Sequence, residues 1–197
     1  DPDKGVGYRL VSREIMLYLD PQTGEILRRF DNPWTGASNE VIHVANDPVN
    51  QRPGFGINAD GSEKAFTYRD VNGQYLINYE IPLFYKNAMG GDYQKYVGGS
   101  YHATEIFDFN GDVAELLDAS KPVAYPVISW VRLAPWLPWM EMNGRAGMLY
   151  FNAMGRKLEN YEQLSEVIKA EIAQQYPDYT TPPPLDDPRR NETSWTF

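Results

Sequence analysis

Residues 127–151 read V-I-S-W-V-R-L-A-P-W-L-P-W-M-E-M-N-G-R-A-G-M-L-Y-F and hold three of the chain's five tryptophans, Trp130, Trp136 and Trp139. Two β-branched and aromatic runs flank a proline-broken aromatic loop, which predicts two strands joined by a long connection. Alternation along the first run places Ile128, Trp130 and Arg132 on one face. An arginine on an apolar strand face must snorkel out along the wall, pair with a buried acid such as Glu80 or Glu105, or offer its charge to a ligand carboxylate, enolate or phenolate. Trp136 and Trp139 read as the cap of a β layer or as the rim of a pocket.

Hairpin signals extend outward from this stretch. Asn72-Gly73, between residues 64–70 and 74–84, suits a type I′ turn, in which both central residues need positive φ. Along 74–84, Tyr75, Ile77, Tyr79, Ile81 and Leu83 face one way, and Leu76, Asn78 and Glu80 the other. Residues 100–109 form another strand, with Tyr101, Ala103, Glu105 and Phe107 on one face and His102, Thr104, Ile106 and Asp108 on the opposite one. Asp112 suits the N-cap of a short helix.

Nearer the N-terminus, D-P-Q-T-G at 20–24 predicts a hairpin between residues 8–19 and 25–30, and N-P-W-T-G at 32–36 a second turn. Residues 40–45 read as a short strand carrying His43, followed by a polar loop over 46–61. Leu158, Tyr161, Leu164, Val167, Ile168 and Ile172 then fall at helical spacing, predicting a long helix over 158–176 that stops at Pro177. The proline-rich tail over 177–197 is extended, and its Trp195 and Phe197 favour packing against the body.

These elements predict a mainly β protein: an antiparallel β-barrel or strongly curved sheet, calycin-like, with one long C-terminal α-helix and an extended proline-rich tail. An all-β sandwich is the nearest rival, and a cone-shaped α+β fold suits the late helix less well. A length of 197 residues predicts one domain, with a β body over 1–157, the helix and the tail. The net charge of -9 repels phosphate backbones and anionic lipid, which argues against nucleic-acid and membrane partners. With no cysteine there is no disulfide, thiolate nucleophile or thiolate-bound metal, and the compartment stays open. The opening Asp1-Pro2-Asp3, without Met, suggests a processed or truncated chain.

Chemistry then rests on few groups. The two histidines, His43 and His102, both fall in predicted strands. Acid/base work needs a positioned imidazole or carboxylate, and His43, His102 and Glu105 are the candidates, with Arg132 to steady negative charge. Asp47, Glu80, Tyr101 and Trp130 are candidate substrate-binding residues. His102 and Glu105 lie on opposite faces of a regular strand, so a metal site built on both histidines would have to recruit Asp47, Glu80 or Asp108 instead, of which Asp108 shares the face of His102. Two strand histidines without a metal are the commoner reading, and no metal site and no cofactor is expected. No Gly-x-Ser-x-Gly elbow or phosphate-cradling glycine loop is present. The expected function is a cofactor-free lyase, isomerase or cyclase acting on a small apolar or aromatic molecule. The alternatives are a binding protein with the same cavity and a His/carboxylate metalloenzyme, and a homo-oligomer is compatible with the sequence.

Three segments carry a family resemblance: Y-L-D-P-Q-T-G-E-I-L at 18–27 leading to N-P-W-T-G at 32–36, H-V-A-N-D-P-V-N at 43–50, and P-L-D-D-P-R-R-N-E-T-S-W at 184–195. Together they resemble the bacterial and fungal domain-of-unknown-function family 1838. The resemblance implies no reaction and no catalytic residue. It does imply that the segments at 43–50 and 186–195 belong to a recurring pattern, and a polar loop after a strand histidine suits the edge of a site.

Overall fold

A computed structural model describes residues 10–51, 60, 67–85, 101–121, 123–142, 144–184 and 186–189. Its largest element is a five-stranded antiparallel meander of β5 (Arg69–Val71), β6 (Gln74–Tyr85), β7 (Tyr101–Asp112), β8 (Val127–Ala134) and β9 (Leu149–Arg156), in chain order. Two ribbons accompany it. β1 (Leu10–Met16) pairs with β4 (Val44–Gln51), and β2 (Arg29–Asp31) pairs with β3 (Ser38–Glu40).

The fold is thus mainly β and antiparallel, but among the described residues no strand closes the meander into a barrel. Asn72 and Gly73 turn β5 into β6 with φ of 55° and 81°, the left-handed pair a type I′ turn requires. Asp112 ends β7 by accepting the Ala114 amide, and caps the five-residue helix α1 (Val113–Leu117).

Register stacks the meander's side chains in rows across one face. Ile77, Phe109, Ile128 and Gly155 form one row, Tyr79, Phe107, Trp130 and Ala153 the next, and Ile81, Glu105, Arg132 and Phe151 a third. Ring centroids 5.5 Å apart for Tyr79–Phe109, 6.4 Å for Phe107–Trp130 and 5.9 Å for Trp130–Phe151 make this an aromatic floor. At its end the Tyr75 ring lies across Gly111, where an added Cβ would meet Tyr75 Cε1 and Cζ at 2.6 Å. Tyr75 is 2% exposed and has no room to withdraw, so Gly111→Ala is expected to cost roughly 1–3 kcal/mol in urea unfolding. An unchanged midpoint would show that the ring is not seated there.

The N-terminal pairing differs from the sequence expectation. The D-P-Q-T-G turn does form, with the Leu27 amide donating to the Tyr18 carbonyl at 2.8 Å, but only a Leu19–Ile26 bridge follows it. The rest of the first strand takes β4 as its partner, because the second hairpin consumes Arg29–Asp31 by pairing it with Ser38–Glu40. The expected strand over 40–45 is accordingly split, leaving His43 between β3 and β4. The expected loop is strand as far as Gln51, and residues 52–59 and 61–66 lie outside the described residues.

The helix is shorter too. Leu164 is extended and Ser165 starts the ten-residue α2 (Glu166–Gln175), preceded by a 3₁₀ turn at Tyr161–Gln163 that the Asn160 side chain caps. The Asn160 cap and the extended backbone at Leu164 and Ser165 break what spacing alone reads as a single helix.

The aromatic loop after β8 packs on the β2–β3 hairpin. Val41, Leu137 and Trp139 form a buried cluster joined by Tyr18, Leu27, Phe30 and Leu149, with Trp139 edge-on to Tyr18 and Phe30. Asn32, 2% exposed, accepts from the Trp34 and Thr35 amides and donates to the Met140 carbonyl at 3.0 Å. The hairpin and the loop are thus held as one block. Tryptophan packing, rather than a binding rim, accounts for Trp139. Among the described residues no helix is long and apolar enough to cross a membrane.

Candidate functional site

On the aromatic face, Arg132 and Glu105 stand opposite each other on β8 and β7. Arg132 Nη1 donates to Glu105 Oε1 at 3.0 Å, and the two side chains are 11% and 16% exposed. Of the three outlets for the strand arginine, pairing with Glu105 is the one realised. Burial raises the Glu105 carboxyl above its usual range, Arg132 opposes that rise, and the Glu14 carboxylate adds to it.

Glu14 comes from β1 and bonds the side-chain amide of Asn46, its register partner on β4. Beyond it the ladder shifts: Ser12 pairs Val49 while Glu14 pairs Asn46, so Asp47 and Pro48 together oppose Arg13. Such a bulge re-aims side chains, and it tolerates a proline that cannot donate to the ladder. Here it turns Asp47 toward two arginines, with Arg13 Nε at 3.2 Å and Arg189 Nη2 at 3.0 Å.

The tail completes this polar cluster. Arg13 donates to the Asp178 and Thr181 carbonyls, and its guanidinium lies 5.8 Å from the Tyr179 ring centre. Asp187, 5% exposed, accepts from the Arg189 amide and guanidinium, and Arg189 bridges it to Asp47. Asp187 is held below the usual carboxylate range by the Arg189 side chain first. Burial and the Asp47 charge push Tyr179 upward, with a smaller push from Glu14. The segments at 43–50 and 184–195, far apart in sequence, therefore meet through the Asp47–Arg189 pair.

His43 sits in a different group. The Tyr18 amide donates to its Nδ1 at 3.2 Å and the two rings stack, 5.8 Å apart. Nearby, Arg28 grips Glu171 of α2 with two bonds, Nη1–Oε1 at 2.8 Å and Nη2–Oε2 at 2.5 Å. Burial first, and then Arg28, hold the His43 imidazole below its ordinary pKa.

His102 and Glu80 stand exposed on the other face of the meander. His102 helps line an open, mainly apolar groove of about 670 Å³ with Pro82, Thr104, Leu133, Pro135 and Met148. The Tyr101 side chain lies outside the described residues, as do Trp195 and Phe197.

Of the residues singled out in the sequence, the structure gathers Glu105, Arg132 and Trp130 on one face, while Asp47 lies with Arg13 and Arg189 on the β1–β4 ribbon, from which Glu14 acts electrostatically on Glu105. His43, His102 and Glu80 lie elsewhere. Sequence reading missed Arg13, Glu14, Asn46, Asp187 and Arg189. Asn46, Asp47, Asp187 and Arg189 all belong to the two quoted family segments, which was the signal available. Among the described residues no three His, Asp or Glu side chains converge as a metal-ligand set.

No curated protein and no solved structure matches the chain. The family model described as "Protein of unknown function (DUF1838)" matches residues 1–197, the whole chain, and the chain belongs to that family.

Proposed function

We propose that the aromatic face of the meander binds a small apolar or aromatic molecule and that Glu105 moves a proton on it, without a cofactor, as an isomerase or lyase would. The observation that carries this reading is the part-buried Glu105–Arg132 pair, 3.0 Å apart, at the end of a half-buried aromatic floor and within electrostatic reach of Glu14. Solvated ion pairs gain little, so a pair taken this far from water marks a position where charge is being held for a purpose.

A carboxyl raised by burial is the stronger base when ionised. Glu105 takes a proton from a substrate carbon, and the C–H electron pair moves into the substrate's conjugated acceptor group, where Arg132 offsets the charge. Return of the same proton at another carbon completes an isomerisation. Departure of a leaving group with the electron pair completes an elimination, so neither route requires an oxidant.

The position of His43 and His102 outside this group favours a second reading, a binding protein with the same face and no chemistry. Solvent-deuterium exchange separates the two. Aromatic ketones incubated with the protein in heavy water are expected to gain deuterium above the buffer rate, and Glu105→Gln is expected to slow the gain at least about tenfold. Ligand binding without exchange would leave the binding protein and remove the enzyme.

A further inference from the structure

Trp130 and Arg132 alternate onto the same face of β8, about 7 Å apart along the strand. Among the described residues Trp130 Nε1 and Arg132 Nε are both buried without a hydrogen-bond partner; the Trp136 and Trp139 indoles in the packed loop are orphaned too, but these two donors share one strand face. Each N–H is a strong donor, and a buried donor without an acceptor loses its hydration with nothing in return. Arg132 already spends Nη1 on Glu105, so its orphan Nε is not the remnant of a missing ion pair. Two orphan donors on one aromatic face are the counterpart of an acceptor that the described residues do not supply.

The charges around them define that acceptor further. Glu105 and Glu14 set two carboxylates against the single guanidinium of Arg132, while Arg13, Asp47, Asp187 and Arg189 balance among themselves. An incoming carboxylate or phosphate would add to a local excess of negative charge in a poorly solvated place. A carbonyl oxygen accepts two N–H donors without bringing a charge.

We infer that the ligand of this face is an uncharged carbonyl compound with an aromatic or extended apolar body, its oxygen held by Trp130 Nε1–H and Arg132 Nε–H and its body lying over Phe107 and Phe151. The inference rests on the binding face assigned above and narrows its ligand class. It also gives Glu105 a substrate whose α-hydrogens are acidified by the group the two donors hold.

Three naphthalene probes of matched shape test this: 2-acetonaphthone, its alkene isostere 2-isopropenylnaphthalene, and the anion 2-naphthoate. The ketone is expected to bind at least about tenfold tighter than either of the others, because only it offers an uncharged acceptor. Among the indole N–H signals of the five tryptophans, the one lost in Trp130→Phe is expected to move downfield with the ketone and to stay with the alkene. Trp130→Phe keeps the aromatic surface and is expected to bring the ketone to the affinity of the alkene. Equal binding of ketone and alkene, with that signal unmoved, would overturn the acceptor inference and leave the apolar site standing. Tightest binding of 2-naphthoate would overturn the choice of an uncharged ligand. If none of the three binds, the site assignment fails and this inference with it.

Discussion

Arg132→Met is expected to lose about 3 kcal/mol of unfolding free energy near pH 8 and about 1 kcal/mol near pH 5. Methionine fills much of the arginine stem's volume, so the cost is chiefly electrostatic. Removing Arg132 takes away the two influences that lower the Glu105 carboxyl and leaves the two that raise it, burial and Glu14. The native-state pKa, already above the unfolded value, rises further.

The sign of the pH dependence follows. Between the unfolded and native pKa of such a group, the native state binds more protons than the unfolded state, so stability falls as pH rises. Below that window Glu105 is neutral in both states, and the variant loses only packing and one hydrogen bond. Above it, the variant buries a carboxylate facing a second carboxylate with no counter-charge. Urea unfolding of both proteins across this range decides the matter. A loss independent of pH would show that the arginine serves as packing, and that Glu105 is not held ionised by it.

This behaviour bears on how much the sequence could disclose. The meander was legible because its register depends on local chemistry: Asn72-Gly73 fixes one turn, alternation fixes the faces, and Arg132 on an apolar face asks for an acid that strand pairing then supplies. The β1–β4 ribbon was not legible, because residues 10–16 had two candidate partners and the closer one in sequence was already committed to the second hairpin. The expected helix is longer than the observed one for a similar reason, since apolar spacing is blind to the extended backbone at Leu164 and Ser165.

Among the candidate residues, Glu105, Arg132 and Trp130 share one face of the sheet and are found by counting in twos. Glu14 and Arg189 reach the cluster only through the ribbon and the tail, so no local pattern points to them. His43 was misplaced in a strand because E-V-I-H-V-A alternates as a strand does, while the chain between β3 and β4 changes partner at that position.

Arg28→Met is expected to cost about 3 kcal/mol near pH 8, and part of that loss is expected to return as pH falls toward about 6. Glu171 is 3% exposed, and the bidentate bond from Arg28 is the first cause of its depressed pKa. Arg28 itself is 53% exposed, which places the expected cost at the low end for breaking a buried pair. Without it the Glu171 carboxylate keeps, among the described residues, His43, whose charge already acts on it. In the intact protein burial and Arg28 both disfavour the imidazolium, so removing Arg28 relieves one restraint and leaves an unpaired carboxylate to attract the proton. The His43 pKa therefore rises in the variant. The intact protein, whose His43 pKa is depressed, loses stability as pH falls through the unfolded value, and the variant, with one depressing influence gone, loses less of it, so the gap between the two narrows in mild acid. Two measurements check this: the His43 Cε1–H titration by NMR, shifted upward in Arg28→Met, and the double variant Arg28→Met/Glu171→Gln, which removes the orphaned charge and is expected to regain most of the loss. A cost under about 1 kcal/mol with an unmoved His43 titration would make Arg28–Glu171 an ordinary surface pair. It would then contribute nothing to holding α2 beside the segment that carries His43.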